Sequence, residues 1–204
     1  MQFSSAMRVL LYLLVTPAAA FAAGPATAPA AVASSPKEAL KAWAALADLD
    51  SLGKIYHAQT ADDRHLAHSL ALQACATLKL QKAVAARWGK DSETAVAHLC
   101  GNDTPQDDDD AFEVIDGDRA KIIFKPIAVN PLLVVRVDGR WLIDVPSISR
   151  MLGSRLERDD QIVEQSARLY TRYAAAIEAG KYPAFKEMGE SLDAEIRALS
   201  NSAH

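Results

Sequence analysis

Little in this chain equips it for covalent or cofactor chemistry. It has only two cysteines, Cys75 and Cys100, and they do not form Cys-x-x-Cys. That excludes a thioredoxin-type redox pair and a cysteine-rich zinc cluster. There is no glycine-rich phosphate loop and no Gly-x-Ser-x-Gly nucleophile elbow. Basic residues are outnumbered by acidic ones, 22 to 26, so the formal net charge is −4. Nucleic acids and anionic membrane surfaces both call for the opposite surplus. After residue 22 no apolar run approaches the roughly 18 residues that cross a bilayer, so no transmembrane anchor is expected.

The N-terminal stretch is the most specific signal. Arg8 precedes an apolar run from Val9 to Val15, and Ala20-Phe21-Ala22 places small residues around a bulky one. A charged n-region, an apolar h-region and a small-residue cleavage site define a secretory signal peptide over 1–22. The expected location is therefore periplasmic or secreted, after cleavage near Ala22. Residues 23–34 are Ala, Gly, Pro, Thr, Val and Ser, and read as a flexible Ala/Pro-rich linker. In an oxidising compartment Cys75 and Cys100 are a disulfide candidate, provided the helices carrying them fold back on each other.

Half the residues are hydrophobic, enough for a core. Ser35-Pro36-Lys37-Glu38 carries the marks of a helix start: an N-cap, a proline at the first helical position and a capping-box glutamate. Leu40, Trp43 and Leu46 follow at helical spacing. A short helix is expected around Leu52, Ile55 and Tyr56, a long one from Thr60 or Asp62 to Trp88, and another from Asp91 to Gly101. The period then changes to two. Asp116-Gly117 and Asp138-Gly139 mark two hairpins. In the second, Val135, Val137, Trp141, Ile143 and Val145 are expected on one side. Two amphipathic helices close the chain, one with Leu169, Tyr170, Tyr173 and Ile177, the other with Phe185, Met188, Leu192 and Ile196. Covering the sheet is their expected role. The fold class is α+β. N-terminal helices pack on a curved antiparallel sheet of about four strands over 35–146, and a helical extension over 147–204 packs on the same domain.

Helices followed by hairpins ending in Val-Asp-Gly-Arg-Trp-Leu-Ile-Asp, residues 137–144, resemble the cone-shaped α+β superfamily named after nuclear transport factor two. Residues 35–56 are similar to the opening of that superfamily, and the segment Ile177-Glu-Ala-Gly-Lys-Tyr182 resembles one in uncharacterised exported bacterial members. The resemblance implies a concave sheet closed by helices, often around an apolar pocket. It includes ketosteroid-isomerase-type enzymes, cyclases, dehydratases and non-catalytic binding domains. Fold alone does not choose among them.

Trp43, Tyr56, Phe124 and Trp141 are the candidate lining of such a pocket. Isomerase chemistry needs a carboxylate base and an oxyanion hole. Tyr56, Asp144, Arg136 and Arg140 are the polar residues within reach of it, and none sits in a family motif, so no catalytic residue is assigned. His65 and His68 stand at i and i+3, with Asp62 and His57 nearby, but lack a third ligand. They read as surface residues, and no metal ligand is assigned. Asp107–Asp110 lacks the alternation and glycine turn of a calcium loop and reads as a solvated loop. No cofactor is expected. The leading function is non-catalytic binding of a small apolar ligand or a protein partner. The alternative is a cofactor-independent isomerase- or dehydratase-like enzyme.

Overall fold

The structure, a computed structural model, describes residues 33–44, 49–100, 111–124, 131–153 and 156–202. The leader at 1–22, most of the linker and the Asp107–Asp110 run lie outside them. The described residues form an α+β fold with seven helices and a five-stranded mixed sheet. Order is already present at Ala33, two residues inside the expected linker. Ala33 is buried, and its carbonyl accepts the Trp141 N–H at 3.0 Å.

Helix α1 spans Pro36–Ala44. Ser35 Oγ accepts the Glu38 N–H as a cap should, at 3.2 Å. The Glu38 carboxylate reaches back to the Ser34 N–H and hydroxyl. Those bonds, the Ser34 side chain first, hold its pKa below the ordinary carboxylate range. A 3₁₀ turn (Leu49–Ser51) and a one-turn helix α2 (Leu52–Ile55) follow. Tyr56, expected in that helix, instead begins strand β1 (Tyr56–His57). Helix α3 (Ala61–Trp88, 28 residues) is the longest element, about 42 Å at the usual rise. It ends at Gly89, which supplies a φ of 88°. Helix α4 (Lys90–Leu99) turns back against it.

The sheet is built from two hairpins. β2 (Ala111–Asp116) pairs with β3 (Arg119–Phe124), and β4 (Leu132–Val137) with β5 (Arg140–Asp144). Strand order is β1-β5-β4-β3-β2. Four strands are antiparallel as expected, and β1 adds a short parallel pairing to β5, Tyr56 opposite Ile143. The first turn is Gly117-Asp118, one residue later than Asp116-Gly117, because Asp116 pairs with Arg119. Only Gly117 takes positive φ there, as a type II′ turn requires, whereas Asp138 and Gly139 both do.

A two-residue loop pairs Val137 with Arg140, so Arg136 faces Trp141 and Val134 faces Ile143. Val134, Trp141 and Ile143 therefore share the inner face, while Val135 and Val137 point the other way with Leu142. This corrects the expected facing of the hairpin: side chains directly opposite across a ladder share a face, and the turn sets which ones are opposite. Val145 is buried too, but it opens helix α5 (Val145–Leu152).

Two cores result. The first joins α1, α2, the inner sheet face, α5 and the N-terminal half of α3, around Trp43, Leu66, Leu70, Ile122, Trp141 and Ile143. The second joins the C-terminal half of α3 to α4, α6 (Leu156–Glu178) and α7 (Phe185–Ser202), around Leu80, Val84, Tyr170, Tyr173, Met188 and Leu192. The terminal helices thus serve the helical layer. α6 packs along α3, and α7 packs against α6 and α4. Among the described residues no helix is long and apolar enough to cross a membrane.

Asp63 locks α3 to the sheet side. Thr60 Oγ accepts the Asp63 N–H at 3.0 Å, and the Asp63 carboxylate accepts the Thr60 N–H at 2.9 Å, a complete capping box. Ser149 of α5 donates to the other carboxylate oxygen at 2.8 Å. Burial by itself would raise the acid's pKa, but the Thr60, Ser149 and Gln59 hydrogen bonds outweigh it and hold it below the usual value. A carboxyl depressed in the folded state stabilises fully above its unfolded pKa and loses that contribution as pH falls through the folded one. Asp63→Ala should therefore cost about 1–2 kcal/mol in urea unfolding at pH 7. The gap from wild type should narrow below about pH 4, the ordinary carboxylate value. A pH-independent gap would contradict this account.

Candidate functional site

Three of the four residues expected to line a pocket are core residues. Trp43, Tyr56 and Trp141 are 3%, 5% and 4% exposed and belong to the sheet-side core. Phe124 ends β3, and its side chain lies outside the described residues. Trp43 Nε1 and Tyr56 Oη are buried without a well-formed hydrogen bond. Burial drives the Tyr56 phenol far above its ordinary range, with the neighbouring Trp43 indole opposing.

The polar residues weighed for isomerase chemistry do not converge. Asp144 accepts the Ser147 N–H and hydroxyl and caps α5. Arg136 is held by Asp118, Nε to Oδ1 at 2.8 Å, and lies over the Trp141 ring. Arg140 opens β5 beside the turn.

Cys75 and Cys100 are free thiols, so the candidate disulfide is not formed. They belong to different cores. Cys75 is half-buried against the sheet-side core, and Cys100 is buried in the helical core. The fold-back of α4 occurs as expected, but it turns Cys100 toward Tyr170 of α6. Burial pushes the Cys100 thiol up to about 12, a hydrogen bond with Tyr170 opposing. Cys100 is thereby inert.

Among the described residues, two surfaces with apolar character bear on binding. The first is a groove of about 950 Å³ along the C-terminal half of α3. Leu72, Cys75, Ala76, Ala83 and Ala86 form its α3 stripe, Leu49 stands at one side, and Thr171 and Ile177 of α6 at the other. Lys79, Lys82 and Arg87 edge it, against one acid, Glu178. Lys79 and Lys82 have no carboxylate partner among the described residues. Arg87 is positioned by donating to the Tyr182 carbonyl at 3.0 Å and lying over Trp88. The second surface is strand β2 at the sheet edge, where Phe112, Val114 and Ile115 are 40%, 47% and 55% exposed.

The histidines separate. His57 is half-buried, its Nε2 3.1 Å from Gln59 Nε2. His68 is exposed. His65 Nε2 lies 2.8 Å from Asp160 Oδ2 and 3.9 Å from Glu164 Oε1. The helical spacing of His65 and His68 could not have revealed these acids, because they come from α6.

No protein-family model, no curated protein and no solved structure matches this chain.

In denaturant without reductant, both thiols should react with a disulfide reagent. In the folded protein near pH 8 only half-buried Cys75 should react at an appreciable rate. No titratable thiol after unfolding would restore the bridge.

Proposed function

We propose that this chain is an exported, non-catalytic binding module whose groove on α3 takes an acidic amphipathic helix of a protein partner. The carrying observation is that α3 is apolar on more sides than the fold covers. The sheet-side core, α4 and α6 bury most of it, and half-buried Leu72, Cys75 and Leu78 and exposed Ala86 line a groove floored by buried Ala76 and Ala83. From Leu72 to Ala86 the groove runs about 21 Å, the length of a helix of about 14 residues. An apolar floor presented along successive turns suits a helix laid into it. The edge of the floor is basic on a chain whose formal net charge is −4, so the positive charge is local to the groove. Such an edge favours acidic flanks on the partner and speeds encounter. The packed state of Trp43, Tyr56 and Trp141 supports a protein partner over a small apolar ligand held between the layers. Export rests on the leader at 1–22. The relationship to the cone-shaped superfamily is supported by α1 lying against β5, with Trp43 and Trp141 in one core.

The test is fluorescence anisotropy with a synthetic helix of about 14 residues, leucine at i, i+3, i+4 and i+7 and glutamate on its flanks. Lys79→Glu with Lys82→Glu, both at exposed positions, should weaken binding at least about 10-fold, and added salt should weaken the wild-type complex. Equal binding of a lysine-flanked peptide, or no response to the double reversal, would overturn the proposal. Displacement of the peptide by micromolar laurate would reassign the groove to an anionic amphiphile.

A further inference from the structure

His65 lies in the second turn of α3, and Asp160 and Glu164 lie one turn apart on α6, which packs along it. One atom from each, His65 Nε2 and a carboxylate oxygen of each acid, all fall within 4.8 Å of one another. Asp160 is 8% exposed. Its Oδ2 faces His65, while its Oδ1 is buried with no hydrogen-bond partner among the described residues. An orphaned carboxylate oxygen in a native interior is costly and calls for a ligand. A plain His65–Asp160 ion pair leaves that oxygen unexplained. Glu164 is already oriented: Arg168 Nη2 donates to Oε2 at 3.2 Å, leaving Oε1 toward His65.

We infer that His65, Asp160 and Glu164 form a binding site for a divalent transition-metal ion of the zinc type. One imidazole and two carboxylates are a donor set such ions accept, with water completing the shell. Bonds of about 2.1 Å at tetrahedral angles separate ligand atoms by about 3.4 Å. The two separations from His65 Nε2, 2.8 Å and 3.9 Å, bracket that value, and the two carboxylate oxygens lie within 4.8 Å of each other. The His65 side chain is 62% exposed and Glu164's 28%, which opens one side of the site to solvent and to water ligands. The ion would clamp the start of α3 to the start of α6. Arg168 acts as a positioning residue, holding Glu164 by its far oxygen as outer-shell partners do. The site uses none of the groove residues, so each proposal stands or falls separately.

The test uses the full chain without a polyhistidine tag, titrated with Zn²⁺ by calorimetry and with Co²⁺ by visible absorption. The expected result is one ion per chain, with an imidazole–carboxylate Co²⁺ spectrum and a melting temperature that rises with Zn²⁺. His65→Gln and Asp160→Asn should each weaken binding at least about 10-fold and remove the melting shift, and Glu164→Gln should weaken it as well. His68→Gln should leave binding unchanged. If Asp160→Asn fails to fold in EDTA, His65→Gln and Glu164→Gln, at more exposed positions, carry the test. No stoichiometric binding to the wild-type chain would reduce the trio to an ion pair. Binding that survives His65→Gln, or that is lost in His68→Gln, would place the ion elsewhere and overturn the assignment.

Discussion

Helix α3 must bury apolar side chains on several sides at once, and that requirement organises the molecule. One helix face packs against one layer; α3 presents Leu66, Ala67, Leu70 and Ala71 to the sheet-side core and Leu80, Ala83 and Val84 to the helical core. Neither core is complete without it. Its N-terminus is the place where the two layers are keyed together. There Asp63 closes the capping box and takes the Ser149 hydroxyl, so the same carboxylate satisfies the helix end and joins α3 to α5.

The sheet is consequently a platform. Its inner face is used up by Trp43, Tyr56, Leu66 and Leu70 packing on Ile122, Val134, Trp141 and Ile143. The arginines and the aspartate beside it are tied into turns and caps, with Arg136 on Asp118 and Asp144 on Ser147. The two proposed binding surfaces lie outside it, along the groove of α3 with its lysines and at the seam where His65 meets α6. Both lie on helices fixed by the two cores, which is how a small domain holds surface groups in register.

Local signals were legible wherever the responsible physics is local. Ser35, Thr60 and Gly89 mark helix ends because the atoms they satisfy lie within a few residues. Asp138-Gly139 marks a hairpin because its backbone geometry demands positive φ. The facing of Val135 and Trp141 was misread because pairing across a turn is set by how many residues the turn consumes. Tyr56 followed a helical pattern and became a strand because Ile143 offered its backbone to pair with. The terminal helices showed their apolar stripes plainly, but their partners, α3 and α4, could not be inferred from amphipathicity, which says that a face is covered and not by what. Asp160 and Glu164 carried no signal at all as partners of His65.

The amino-acid sequence by itself determined the α+β class, the two hairpins, the long central helix and the apolar faces, because periodicity, caps and turn residues act over short stretches of chain. Tertiary structure alone decided that the aromatics fill the core, that the thiols stay in separate cores, that a basic-edged groove runs along α3 and that one histidine meets two acids. Those outcomes depend on which distant surfaces come within a few ångströms of each other, and packing of whole layers settles that after local preferences have been spent.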